Sequence, residues 1–172
     1  MELLRVQTEL EHRFGVACFV DMSVTETLYN LVALGATQTA NSVALQQDAI
    51  RVQRRFRVPE GRFAHVKVKA LAASGQWDAL RAFAAEKKSP VGYRPFVNAC
   101  VAHGQPASET AKYVERLPNA DEKFVLLVQL ELWRAAADAA FKLKDAAKLQ
   151  QVQRACDNPQ LANQIDEYIA RI

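Results

Sequence analysis

The sequence of 172 residues has little of what sheets and tight turns require. Glycine and proline occur only six times each, and runs that alternate β-branched with polar residues are missing. Alanine, leucine, glutamine, glutamate, lysine and arginine are abundant instead, and these residues favour helices. The composition therefore argues against a sheet protein and predicts an all-α fold.

Cysteines and long apolar runs are also scarce. The three cysteines, Cys18, Cys100 and Cys156, are far apart and odd in number, and no CxxC pair suggests a zinc site. The longest apolar run, residues 124–128, is too short to span a bilayer, and charged residues interrupt the stretch where a signal peptide would be apolar. These features predict a soluble intracellular protein in a reducing compartment.

The net charge alone excludes few classes of function. A formal net charge of +3 is too small to indicate nucleic acid or an anionic membrane unless the charge is concentrated. One concentration exists at Arg54, Arg55 and Arg57, which with Lys67 supports an alternative function, a helical-repeat nucleic-acid-binding module. A solvated helix C-terminus, where cations offset the helix dipole, is the simpler interpretation of this cluster.

Amphipathic segments separated by short breaks fill the sequence. Ser23 is placed to cap the second segment and Gly35 to end it. The unit of helix, break and helix recurs about every thirty residues without a strict repeat signature. This pattern predicts an α-solenoid of stacked antiparallel helical hairpins, with a compact irregular bundle as the alternative. We expect residues 1–172 to form a single solenoid fragment, the C-terminal part of a longer chain.

Catalytic and cofactor motifs are missing from the sequence. None of the patterns GxGxxG, GxxxxGK[ST], HExxH or GxSxG occurs. Cys100 and His103 are close enough on one predicted helix to act as metal ligands or as a thiolate with its base. A core cysteine near a solvent-facing histidine is the favoured interpretation, because no third ligand lies near in sequence. The sequence predicts no enzyme, no cofactor and no bound metal.

The stretch KKSPVGYRPFV, residues 87–97, is an unusually elaborate turn. Ser89 can cap a turn at Pro90, and the next long helix is predicted to begin near residues 94 and 95. A rigid turn that presents tyrosine and arginine suits protein binding. The candidate partner-binding residues of this turn are Lys87, Lys88, Tyr93 and Arg94. Alternatively, Tyr93 fastens the turn to the neighbouring helix and the lysines offset a helix dipole.

A second candidate partner-binding surface is formed by Lys112, Tyr113 and Arg116. Residues 112 and 116 are four apart and share a helix face. A basic stripe beside an aromatic ring could dock on an acidic partner. The alternative is a solvated outer face with Tyr113 packed inward.

Several stretches resemble one known family. They are FVDMSVTETLYNLVALG, RRFRVPEGRFAHVKVKALAASGQW and KKSPVGYRPFV, followed by AKY and ER at residues 111–116. Over residues 19 to 138 the chain resembles the C-terminal region of the vacuolar protein sorting-associated protein 16 family. The SPE-39-like paralogue of that family remains an alternative.

The resemblance implies a function that the composition does not reach. In that family this region is an α-solenoid that binds a Sec1/Munc18-type protein, vacuolar protein sorting-associated protein 33. It thereby recruits that SNARE-handling subunit into the HOPS and CORVET tethering complexes. The resemblance implies a scaffold without enzymatic activity, cytoplasmic and peripheral on endosome, lysosome or vacuole membranes, with other tethering subunits as partners. It implies neither nucleic-acid binding nor direct membrane binding.

Overall fold

The computed structural model describes residues 1–86 and 89–172, and within them every regular element is helical. This confirms the predicted all-α fold of helical hairpins. The α-helices of the described residues are α1 (Glu2–Phe14), α2 (Val24–Thr37), α3 (Ser42–Arg55), α4 (Glu60–Ala73), α5 (Trp77–Ala85), α6 (Arg94–Ala102), α7 (Ala107–Val114), α8 (Ala120–Gln129), α9 (Trp133–Lys142), α10 (Ala146–Ala155) and α11 (Pro159–Ala170).

The chain divides into two compact units. Unit 1 comprises Met1–His103 and contains α1 to α6, and unit 2 comprises Gly104–Ile172 and contains α7 to α11. The single solenoid expected over residues 1–172 stays a prediction.

In unit 1, α2 packs against both α3 and α4, and α4 in turn packs against α5 and α6. Fully buried apolar side chains from these helices form the core, among them Leu28, Leu31, Leu45, Leu80 and Phe96. Ser23 caps α2 as predicted: its hydroxyl accepts the Glu26 N–H, while the Glu26 carboxylate accepts the Ser23 N–H.

Gly35 does not end α2, contrary to the prediction, because the helix continues to Thr37. Gly35 is buried inside the helix, where an added Cβ would lie 3.2 Å from Cβ of Leu45. The glycine therefore allows α2 and α3 to approach closely.

Polar side chains connect helix α1 to the rest of unit 1. Gln7 is buried and donates to Oγ1 of Thr27 over 2.8 Å and to the carbonyl of Met22 over 2.7 Å. Arg13 contacts the buried carboxylate of Asp48 over 2.7 Å. Because buried polar groups are costly unless paired, these contacts fix the position of α1.

In unit 2, consecutive helices pack in the order α8, α9, α10 and α11. Three of these helices begin at capping side chains, since Asn119, Asp145 and Asn158 each accept backbone N–H groups. The core uses small side chains on α9, namely Ala136, Ala137 and Ala140, opposite larger ones such as Leu149 and Ile165. Short helices with local start signals therefore build this unit.

Candidate protein-binding surfaces

A groove runs along α4 in unit 1, between α2 and α6. It consists of two adjoining cavities of about 530 and 420 Å³ that share Tyr29, His65 and Lys69. We call it the basic groove and define it by Tyr29, Arg62, His65, Lys69 and His103. Its dimensions are those of a binding site.

One side of α4 supplies the charge of the basic groove. Arg62, His65 and Lys69 are spaced by three and four residues, which places them on one helix face, and all three are exposed. Among the described residues, none of them forms an ion pair or side-chain hydrogen bond. The acidic residue of this cavity, Glu26, forms hydrogen bonds with the Ser23 hydroxyl and N–H, and these lower its pKa. Arg62 and Lys69 outnumber this carboxylate, so the groove has a net positive charge.

The remaining walls of the basic groove are mostly apolar. Tyr29 is half-buried, Val66 and Val68 lie beneath the charged residues, and the ring of His103 meets Trp77 edge-on at 5.9 Å between centroids. A cationic, apolar groove suits an acidic segment of another protein. The sequence shows the spacing of Arg62, His65 and Lys69, but not the groove that these residues line.

The turn between α5 and α6 is held by its own hydrogen bonds. Lys87 and Lys88 lie outside the described residues. The hydroxyl of Ser89 donates to the carbonyl of Gly92 over 2.9 Å. The N–H of Gly92 donates to the carbonyl of Ser89 over 3.2 Å. Ser89 therefore closes a turn and does not cap a helix. The helix begins at Arg94, as predicted.

Tyr93 and Arg94 have different surroundings. Tyr93 is half-buried; its hydroxyl donates to the carbonyl of Ala84 over 3.4 Å and its ring lies 5.9 Å from that of Phe96. Arg94 is exposed, and its Nε donates to Oδ1 of Asn98 over 3.1 Å. Tyr93 thus fastens the turn to α5, whereas Arg94 lies at the surface.

The second predicted surface lies in unit 2 and differs in detail from the sequence-based picture. Tyr113 is only 3% exposed, so its ring belongs to the core, whereas Lys112 is exposed and contacts Glu109 over 2.7 Å. Helix α7 ends at Val114, and the exposed Arg116 follows in the turn. Lys112 and Arg116 therefore do not share a face of one continuous helix.

The pair Cys100 and His103 does not form a buried reactive centre. Cys100 is fully buried in the core, whereas His103 is exposed at the end of α6 and contacts Trp77. Within the part of the chain that the structure describes, no group of three or more histidine, cysteine or carboxylate side chains could hold a metal ion.

The basic cluster at the end of α3 is partly engaged. Arg55 contacts Glu2 over 2.8 Å, while Arg54 is exposed and Arg57 has a left-handed backbone conformation in the turn that follows. Lys67 lies over the ring of Phe83, so its charge is partly withdrawn from solvent.

Neither unit contains a described helix with the length and apolar character needed to cross a bilayer.

The fold and the basic groove together define a protein of helical hairpins with a surface suited to binding another protein. A family model described as "Vps16, C-terminal region" matches residues 1–170, and the chain belongs to this family. The resemblance found in the sequence motifs is thereby confirmed.

Curated relatives agree with the family. The vacuolar protein sorting-associated protein 16 homolog of Dictyostelium discoideum is 33% identical over 172 residues, covering 100% of this chain and 20% of that protein. Protein VACUOLELESS1 of Arabidopsis thaliana is 34% identical over 148 residues, or 86% of this chain and 16% of that protein. Vacuolar protein sorting-associated protein 16 of Saccharomyces cerevisiae is 28% identical over 170 residues, or 96% and 20%. The chain thus spans a fifth or less of the length of these relatives.

Proposed function

We propose that this chain is a non-enzymatic binding region of an endolysosomal tethering complex of the HOPS or CORVET type. Its partner is the Sec1/Munc18-type subunit, vacuolar protein sorting-associated protein 33, which it recruits for SNARE-mediated fusion at vacuoles or lysosomes. Family membership supports this proposal, because the relatives are named for vacuolar protein sorting.

The basic groove of unit 1 is the observation that carries the proposal. Arg62 and Lys69, with His65 between them on one face of α4, form no ion pair among the described residues and surround an apolar floor. An acidic segment of the partner would find charge complementarity at the rim and apolar contact below. Such an interface is expected to bury roughly 1,200–2,000 Å² in total.

The sequence-predicted residues are separate proposed contacts. Arg94, Lys112 and Arg116 are exposed and can contact a partner directly. Tyr93 and Tyr113 hold the surrounding structure, because the first is half-buried against Ala84 and the second is in the core. Lys87 and Lys88 remain proposed contacts on the basis of their sequence.

The proposal is tested by binding of the partner subunit to charge-reversal variants, measured by calorimetry and by pull-down. We expect Arg62→Glu combined with Lys69→Glu to lose about 2–5 kcal/mol of binding free energy, as reversed charges at an interface do. Arg116→Glu is expected to lose a similar amount if its guanidinium is desolvated in the complex. Arg54→Glu, another exposed arginine of unit 1, is the matched control and should bind normally.

Circular dichroism must show each variant to be as helical as the parent chain. Full-strength binding by the Arg62 and Lys69 double variant would refute the groove as the site. Retention of full binding by Arg116→Glu would remove that residue alone from the interface.

We further propose that the chain acts in the cytoplasm, on endosome, lysosome or vacuole membranes, through the complex and without a cofactor. The alternative of nucleic-acid binding through Arg54, Arg55 and Arg57 is less well supported, because Arg55 is paired with Glu2. Steep salt dependence of binding to RNA or DNA would favour that alternative.

A further inference from the structure

Helix α4 lines a second concavity on its other side. Phe63, Lys67 and Leu71 follow one another at intervals of four residues and face a cleft of about 320 Å³ between α3 and α5. At about 100° per residue, this set lies roughly half a turn from Arg62 and Lys69 of the basic groove. We call the second site the Lys67 cleft. It is distinct from the site proposed above.

The walls of the Lys67 cleft allow another helix to approach. On the α3 side, Ile50 is 42% exposed at the rim. On the α5 side, Ala79 and Ala82 are exposed and small, with the larger Phe83 beneath them. A groove with an apolar floor can accept the apolar face of an amphipathic helix.

Lys67 gives the cleft its charge. Its Nζ lies 4.0 Å from the centroid of the Phe83 ring and 3.9 Å from Oε1 of Glu86, and its side chain is 33% exposed. Burial lowers the pKa of Lys67, and the Glu86 carboxylate partly opposes that effect. Among the described residues, no acceptor lies within hydrogen-bonding distance of this ammonium group. The Lys67 ammonium group therefore contacts the Phe83 ring and lies near the Glu86 carboxylate, but it forms no short hydrogen bond there.

We propose that the Lys67 cleft binds a helical segment of a partner protein that carries a large aliphatic side chain and a carboxylate one turn away. The aliphatic side chain packs between Ile50 and Phe83, and the carboxylate accepts a charge-assisted hydrogen bond from Lys67. Glu86 is 62% exposed at the rim, so it can turn into solvent when the incoming carboxylate arrives. In the free protein, Glu86 competes for the same cation.

The test uses the whole chain and a fluorescein-labelled, alanine-based helical peptide of about 15 residues, the length at which isolated helices begin to be stable. The peptide carries one leucine and one glutamate four residues apart. Two matched peptides replace the glutamate with glutamine or the leucine with alanine. Fluorescence anisotropy gives the affinity, and backbone NMR shifts locate the peptide.

We expect the leucine–glutamate peptide to shift the resonances of Ile50, Ala79 and Ala82. Lys67→Met and the glutamine peptide should each weaken binding about tenfold, as loss of a charge-assisted hydrogen bond does. Glu86→Gln should tighten binding about threefold, because the competing carboxylate is gone. Ala82→Trp should abolish binding by filling the cleft from an exposed position, and Arg62→Glu should leave binding unchanged.

Three results would overturn the proposal. The first is equal affinity of the glutamate and glutamine peptides, and the second is unchanged binding by the helical Ala82→Trp variant. The third is a set of NMR shifts confined to the basic groove. Weaker binding after Glu86→Gln would also contradict the competition that the geometry implies.

Discussion

Units 1 and 2 consist of similar helices that begin by different means. Left-handed backbone occurs at glycine and at other residues in both units: Arg57 and Gly75 follow α3 and α4 in unit 1, and Gly104 and Lys144 lie in unit 2. Side-chain caps begin three helices of unit 2, whereas α2 is the one helix of unit 1 with such a cap among the described residues.

The contrast shows which interactions define each unit. In unit 2, local signals such as the Asn158 cap define short helices, and small alanines let them pack. In unit 1, longer helices depend on contacts between distant residues, such as Gln7 with Thr27 and Gly35 with Leu45. Unit 1 also contains the basic groove and the Lys67 cleft, whose walls come from several helices that pack around α4.

Removing a core leucine from each unit should have the largest effect. Leu28 in α2 and Leu149 in α10 are both fully buried. We expect Leu28→Ala and Leu149→Ala each to lower the free energy of unfolding by about 2–5 kcal/mol. Hydrogen exchange should show the loss of protection mainly in the unit that carries the substitution. Equal loss of protection throughout the chain would indicate that units 1 and 2 unfold as one cooperative unit.

Gly35→Val tests the close approach of α2 and α3 in unit 1. The new side chain would meet Leu45 at less than ordinary contact distance, and we expect overpacking to cost about 1–3 kcal/mol of stability. Chemical denaturation measures the effect. Ala33→Val in the same helix controls for the lower helix propensity of valine, and a cost no larger than that of the control would contradict the packing role of Gly35.

Lys144→Gly tests the turns of unit 2. Lys144 has φ of 53°, which an L-residue adopts at a cost, so glycine should stabilise the chain by about 0.5–1 kcal/mol. The opposite change in unit 1, Gly75→Ala at φ of 67°, should destabilise it by about 1 kcal/mol.

Gln151→Gly, at an exposed position inside α10, is the control for Lys144→Gly and should destabilise the chain by about 1 kcal/mol. If Lys144→Gly is also destabilising, the left-handed turn is not strained.

The smallest expected effect is on the melting temperature at acidic pH. Hydrogen bonds from the N–H groups of Val20 and Phe19 lower the pKa of Glu11 below its ordinary value of 4.5. The resulting stabilisation is present above that value and is lost as the pH falls through the lower pKa of the folded state. Glu11→Gln should therefore flatten the dependence of melting temperature on pH in this range.

Asp145→Asn makes the matching test in unit 2. The pKa of Asp145 is lowered chiefly by its side-chain hydrogen bond with Lys148. Asparagine can still cap the helix but has no carboxyl group to titrate. A profile unchanged below pH 4.5 in both variants would show that neither carboxylate contributes to acid sensitivity.

The sequence predicted the helices well because their signals are local. The cap at Ser23 and the start at Arg94 are each determined by residues within a few positions. Gly35 was misjudged because its role depends on Leu45 of another helix, and a buried glycine has the same sequence signal as a terminal one.

The candidate binding surfaces were harder to infer. Arg116 was placed on a helix face because its spacing from Lys112 suits one, but α7 ends first. The basic groove needs Tyr29 and His103 beside α4, and no spacing along one helix reveals that arrangement. Periodicity identifies a face of a single helix, whereas a site between helices depends on tertiary packing.

Helix α4 contributes Arg62 and Lys69 to one proposed binding site and Phe63 and Lys67 to another. A partner that displaces or stiffens this helix from one side also alters the opposite wall. If the two occupants influence each other, thermodynamic linkage requires that each change the affinity of the other by the same factor. A single helix of 14 residues would thus couple the two proposed sites.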